Sequence, residues 1–302
     1  FTLTSARMDF YTETKHAFFY GATTIMGEDY VVRCREGFYN TDKKEGYFKK
    51  NASVDYNNRN IIGDSIYFND TQKYASATQN IRITDTINNS FITGNYGQVF
   101  KEKDSAMVTH RALAINLVEL DSLFIHADTL IVTGPPKQRI IRGFHDVRIF
   151  KEDLSGKTDS IHFNQTSGRA KLIRRPISDR DLQYLTPQEI ADRNPILWSD
   201  ESQMTGDEIH ITRDVNTNDL DSLKILNNAF IIEKDTLSED GYQQIKGGIL
   251  NGAFKEGRLD NIVITKNTEM VYYLYNDEDL QLIGIDKTTC SALRMVSGRP
   301  RL

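Results

Sequence analysis

The chain has 302 residues, with 37 Lys and Arg against 42 Asp and Glu and a formal net charge of −5. That balance argues against a general nucleic-acid binder, which needs a cationic face to displace phosphate counterions. With 39% hydrophobic and 26% charged residues the composition is that of a globular chain, enough for one large domain or two modest ones. No apolar run reaches the roughly 18 residues of a membrane helix. The longest, near Ala112–Leu120, is interrupted by Asn116 and Glu119.

Along the chain, short runs of Val, Ile, Thr, Tyr and Phe alternate with polar residues. Clusters of Asn and Asp punctuate them at 40–44, 57–60, 69–71, 88–90 and 276–279. Such residues tolerate left-handed backbone or bond their own main chain, so the clusters read as tight turns between short strands. Thr186-Pro187-Gln188-Glu189 is a capping box with Pro at the first helical position. It predicts one short helix through about Arg193, stopped by Asn194-Pro195. The stretch 176–203 around it breaks the strand pattern. It reads as an insertion or inter-lobe connection between a β-repeat region at 1–175 and a continuing one at 204–302.

Four segments share one pattern: Gly63-Asp64-Ser65-Ile66-Tyr67-Phe68, Ala127-Asp128-Thr129-Leu130-Ile131-Val132, Thr158-Asp159-Ser160-Ile161-His162-Phe163 and Gly206-Asp207-Glu208-Ile209-His210-Ile211. A weaker copy begins at Ala6. Alternate strand residues share a face, which pairs Ile66 with Phe68, Leu130 with Val132, Ile161 with Phe163 and Ile209 with Ile211. The Asp is expected at the start of its strand. A polar turn follows, as in 69–73, 164–168 and 12–15, and then a strand such as Asn80-Ile81-Arg82-Ile83. Stacked repeats of this kind bury one continuous apolar seam. Their uneven spacing argues against a propeller.

These strands, together with the C-terminal run Tyr242-Gln243-Gln244-Ile245-Lys246-Gly247, Gly252-Ala253-Phe254-Lys255, Tyr272-Tyr273, Leu282-Ile283-Gly284-Ile285-Asp286-Lys287 and Cys290-Ser291-Ala292-Leu293-Arg294-Met295, resemble the OstA-like, LptA-type family of lipopolysaccharide-transport proteins. The C-terminal run is similar to the end of the OstA-like proteins of Bacteroidetes-type bacteria. The resemblance covers most of the chain and is weakest across 176–203. It implies an all-β fold, an open curved β-jellyroll or twisted β-sandwich of stacked short-strand repeats with one short helical insertion. It also implies a periplasmic setting, with outer-membrane association and an export signal removed from the mature protein. The implied cargo is lipopolysaccharide or a related acylated lipid. The implied partners are other lipopolysaccharide-transport components, joined by edge-strand pairing, or further copies stacked head to tail.

On that resemblance, the groove for lipid A acyl chains is expected at Ile66, Phe68, Ile81, Ile83, Leu130, Val132, Ile161, Phe163, Ile209 and Ile211. Lys137, Arg139, Arg142 and Lys171 are expected to meet phosphates at the rim; an ordinary charged surface and plain core packing are the alternatives. No catalytic residue, metal or cofactor is expected. The six histidines form no metal-binding spacing, and His162 and His210 lie opposite the apolar pairs on solvent-facing strand positions. Carboxylates at Asp200-Glu201, Asp219-Leu220-Asp221 and 277–279 read as solvated turns. Two cysteines, Cys34 and Cys290, make neither a disulfide scaffold nor a clustered site, and their pairing stays open. Trp198 either packs the insertion onto a sheet or lines the groove mouth. Two rival readings remain: a structural or adhesive β-repeat protein with a dry core, and a polysaccharide-active enzyme on a β-scaffold.

Overall fold

The computed structural model describes the chain except residues 57, 117–121, 153, 200–201, 216, 218, 236, 239, 256–257, 277 and 297–302. It divides into two compact units, Phe1–Phe144 and His145–Leu302. The boundary falls inside a strand, and the stretch 176–203 lies wholly within the second unit.

The first unit holds β1 (Thr2–Ser5), β2 (Met8–Tyr11), β3 (His16–Phe19), β4 (Thr23–Met26), β5 (Tyr30–Cys34), β6 (Glu36–Asn40), β7 (Glu45–Tyr56), β8 (Arg59–Asn69), β9 (Tyr74–Asp85), β10 (Ser90–Phe100), β11 (Ser105–Asn116), β12 (Leu123–Thr133) and the start of β13 (Ile140–Lys151). Its pairings are antiparallel and form two ladders. One runs β1–β4–β5 and joins the second half of β7; the other runs β2–β3–β6 and joins the first half of β7. From β7 to β12 every strand is shared. One half of each strand belongs to the first sheet and the other half to the second.

The strands are therefore longer than the sequence pattern suggests, and they bend where they pass between sheets. The bend is visible in the backbone. Lys50-Asn51, Gln79-Asn80 and His110-Arg111 all have φ between 50° and 65°. Lys49 pairs with Ser65 and Ala52 with Gly63, so two left-handed residues of β7 face Asp64 alone. This is a β-bulge, which kinks a strand while keeping the ladder on both sides. Asn stands at the second position in two of these three corners because its short polar side chain lowers the cost of left-handed backbone. Burial changes parity across the corner: on β8 it moves from Ile61 and Gly63 to Ile66 and Phe68.

The repeated small-Asp motif is this corner. The Asp is not at the start of its strand but mid-strand on β8 and β12. The small residue points inward, where space is short: a Cβ on Gly63 would lie 3.1 Å from Ala77 Cβ. The Asp points outward, and Asp64 accepts a hydrogen bond from Asn80 Nδ2 at 2.8 Å on the next corner. The polar turns at 12–15, 41–44, 70–73 and 165–168 fall where the sequence places them, whereas in the cluster at 57–60 residues 59–60 already belong to β8, and residues 57 and 277 lie outside the described residues. Asn40 Oδ1 accepts from the N–H of Asp42 and of Lys43, and Asn69 Oδ1 accepts from that of Gln72. Lys15, Lys44 and Lys73 take the left-handed position that closes each turn.

The second unit continues with the rest of β13, β14 (Leu154–Asn164), β15 (Arg169–Ile173), α1 (Asp179–Leu182), α2 (Pro187–Ala191), β16 (Ile196–Ser199), β17 (Ser202–Thr205), β18 (Glu208–Arg213), β19 (Leu220–Lys234), β20 (Tyr242–Lys255), β21 (Arg258–Tyr275) and β22 (Leu282–Val296). Corners recur at Asn227-Asn228 and Lys266-Asn267. Gly206 and Asp207 repeat the motif. A Cβ on Gly206 would lie 2.2 Å from Ile225 Cγ2, and Asp207 accepts from Asn228 Nδ2 at 3.2 Å. β14 pairs with β15 through its second half and with β16 through its first. Thus β15 and β16 are two halves of one bent strand, and the helical segment stands at their corner. α2 has the expected capping box, with Thr186 Oγ1 accepting from Glu189 N–H at 3.2 Å. α1 is a single turn that the sequence reading did not anticipate.

Candidate lipid-binding interior

The space between the two sheets of each unit is where the expected groove residues fall. In the first unit Ile66, Phe68 and Leu130 are fully buried, and Ile81 and Ile83 nearly so; Val132 is half-buried. In the second unit Ile161, Phe163, Ile209 and Ile211 are buried. Each large side chain withdrawn from water contributes about 1.5–3 kcal/mol. Within the first unit the strip is continuous because register aligns it. Val54, Ile61 and Ile83 stand opposite one another on β7, β8 and β9. Tyr30 and Tyr56, from the first sheet, pack onto Phe68 of the second, with ring centroids 4.7 and 6.1 Å away.

The interior thins toward two strands at the sheet ends. In the second unit, Ile225, Leu250, Ile264 and Leu293 form one inward row across β19–β22. The first three are fully buried and Leu293 is half-exposed. Leu274, on the same side of β21, is 44% exposed. Among the described residues β22 pairs with β21 alone. In the first unit, Met8 and Phe10 on β2 stand opposite buried Phe19 and Ala17, and are themselves 38% and 43% exposed.

The four basic residues expected at a rim do not stand together. Arg139 is buried at 4% exposure, and its guanidinium is taken up by its own chain. It donates to Asp85 Oδ2 at 2.8 Å, to Asp104 Oδ1 at 2.7 Å and to the Gly134 carbonyl. A buried guanidinium must be paired, and this one is, so it does not offer an open phosphate contact in this conformation. Lys137 is exposed on the adjoining turn, and Arg142 donates to Thr133 Oγ1 at 3.3 Å. Lys171 lies in the second unit on β15, in register between His162 and His210.

That placement separates His162 from His210 by an intervening strand, and no cluster of potential metal ligands occurs among the described residues. Both histidines are half-buried rather than freely solvated, and His210 bonds Glu208. Trp198 lies on the outward side of β16, since its neighbour Leu197 is fully buried; its Nε1 donates to Gln203 Oε1 at 2.9 Å. It does not line the interior. Cys34 is buried, which pushes its thiol up to about 11, and it is unpaired, as is Cys290. Asp219 and Asp221 flank the start of β19, whereas residues 200–201 and 277 lie outside the described residues.

Two features escaped the sequence reading. The first is a set of ion pairs joining Asp29, Arg59, Asp85, Lys101, Asp104 and Arg139, which are far apart in sequence and carry no local signature. The second is an outward aromatic ladder on the second sheet of the first unit. Tyr47 and Tyr67 lie 4.9 Å apart between ring centroids, Tyr67 and Tyr74 6.0 Å, and Tyr74 and Phe100 5.1 Å. Alternation along each strand carries these rings outward while Phe48 and Phe68 go inward. Such pairs add about 0.5–1.5 kcal/mol each.

Fold and interior define a class: an all-β protein of stacked antiparallel strands whose bent strands enclose an apolar core between two sheets. No family model matches the chain, and no curated protein matches it. Among solved structures, the chain is similar to LptH, the LptA-homologous periplasmic component of the lipopolysaccharide-transport device of Pseudomonas aeruginosa. The two are 14% identical, with 35% of this chain and 76% of that one covered and a TM-score of 0.32. At that level the likeness carries no argument for this chain.

Proposed function

We propose that the chain is a non-catalytic carrier of acylated lipid of the lipopolysaccharide class, working in the periplasm. It holds acyl chains against its apolar interior and passes them to a neighbour docked at a sheet edge. The observation that carries this reading is the uncovered end of the interior at β21 and β22, where Leu274 and Leu293 leave apolar surface in water beside the edge of β22 that has no partner strand among the described residues. Each methylene of an acyl chain moved onto such a surface contributes about 0.8 kcal/mol, so one chain binds without polar specificity. The unpaired edge is a template for another strand, from a partner or a second copy.

The test is native mass spectrometry of the purified protein, offered lipid A. Bound acylated species, displaced by lipid A and weakened by Leu274→Glu, are expected. A protein that stays lipid-free throughout refutes the reading. The complete burial of Ile66, Phe68 and Leu130 favours a second reading, a structural β-repeat with a dry core. That protein would take up no apolar dye.

A further inference from the structure

In the first unit the two sheets meet twice. They meet at the line of corners, and they meet again along the opposite seam, where the hairpin turns of one sheet face those of the other. Three ion-pair groups cross that seam. Lys101, on the β10–β11 turn of the second sheet, pairs with Asp29, just before β5 of the first, and its ammonium lies 4.1 Å from the Tyr56 ring centroid. Arg59, at the start of β8 in the first sheet, reaches Asp104 Oδ1 of the second at 2.6 Å. Arg139, from the β12–β13 turn of the second sheet, reaches Asp85 of the first at 2.8 Å and the same Asp104 oxygen at 2.7 Å. Lys137 adds a backbone N–H to Asn88 Oδ1 at 2.9 Å. Arg59 and Arg139 are both buried, so these are not ordinary surface pairs.

A packed apolar core needs no charges to hold two sheets together. Replacing buried ion pairs by hydrophobic residues is often neutral or stabilising. Here the buried guanidiniums of Arg59 and Arg139 stand where the hairpin turns of the two sheets meet, and a line of backbone kinks capable of absorbing rotation lies opposite. We propose that this seam is a gate: the sheets part about the corners, the Arg59–Asp104–Arg139 group is the latch, and acyl chains enter sideways between the separated turns. The gate rests on the lipid-carrier reading. Closed, the interior is filled by its own side chains. Open, it offers apolar surface to a chain, and that difference in affinity is what lets a lipid shift the balance. Asp104 is the weak point of the latch. It is one carboxylate shared by two guanidiniums, and it is 37% exposed, so water can replace it.

The test is the rate at which the protein takes up an apolar fluorescent probe, N-phenyl-1-naphthylamine. Two variants bracket the gate. Asp104→Asn keeps the shape and removes the shared charge; uptake should quicken by about tenfold, since stranding buried cations weakens the closed state. Asn88→Cys with Lys137→Cys, in a Cys34→Ala, Cys290→Ala background, closes the seam under oxidation. The bond is verified by mass, and a short bis-maleimide is the alternative link. Closed protein should load slowly and recover on reduction or when left unlinked. Equal rates in linked and unlinked protein overturn the gate and leave the carrier reading standing. Uptake by no form, Asp104→Asn included, overturns both.

Discussion

Arg139 shows how much a single residue's meaning depends on what folding brings to it. In sequence it is one of several cations after a Gly-Pro-Pro turn. In the fold it is buried and bonded to two carboxylates from distant turns. Removing one member of a buried pair leaves the others without a partner, so Arg139→Ala should lower stability by about 3 kcal/mol, read from urea denaturation. Asp85 carries the matching pH dependence. Burial pushes its carboxyl up, but hydrogen bonds from Asn88 and from Arg139 more than offset this and hold it below the usual range. A carboxylate with a lowered folded pKa stabilises fully above its unfolded value, near 4, and that contribution fades as pH falls through the folded value. The stability gap between wild type and Asp85→Asn should therefore be widest at pH 7 and shrink below about pH 4. A gap that does not change with pH would show that Asp85 titrates alike in both states.

At the scale of the element, the unit of construction is a bent strand rather than a short one. The turns after Asn40, Asn69 and Asn164 are legible in the sequence because each Asn caps its own turn, a local property, whereas Arg59 and Asn60 of the 57–60 cluster belong to β8. It placed Asp64 wrongly because a corner looks like a turn in composition. Both want small and polar residues, and only the ladder on either side tells them apart. The helical segment was legible as a helix from its capping box, but its position at the β15–β16 corner was not. That position makes a prediction. Thr158-Asp159 matches Gly63-Asp64, which is faced by Gln79-Asn80-Ile81. Replacing residues 174–195 with Gln-Asn-Ile should preserve the β-type circular dichroism and cooperative unfolding, since connections on the surface tolerate large changes in length. Loss of cooperative unfolding would show that the segment is needed to hold β15 and β16 in register.

For the whole molecule, the strand edges matter most. β22 is long and carries Ile283 at 71% and Ile285 at 57% exposure on the side opposite Leu274 and Leu293. Natural edge strands commonly carry charges that block pairing with another chain. This one carries Asp286, Lys287 and Arg294, but its first residues, Leu282, Ile283 and Ile285, are apolar and exposed, and that stretch is the part open to pairing. Ile283→Lys with Ile285→Lys should abolish concentration-dependent self-association in sedimentation velocity at tens of micromolar, while leaving the melting temperature within a few degrees. If the wild type sediments as a monomer across that range, the edge is covered by something other than a second copy.

The amino-acid sequence by itself determined that the chain is mostly strand, where the turns capped by Asn40, Asn69 and Asn164 fall, that a helix opens at Thr186-Pro187, and that Ile66, Phe68, Leu130, Ile161 and Ile209 face inward. These follow from alternation, capping and turn chemistry, all of which act over a few residues. Only the tertiary structure decided that neighbouring strands are halves of one, that the small-Asp motif is a corner, and that Asp29, Arg59, Asp85, Lys101, Asp104 and Arg139 close a seam. Those depend on which turn meets which across a ladder of register shifts. Because each bulge moves the pairing, no local pattern carries that information to its partner.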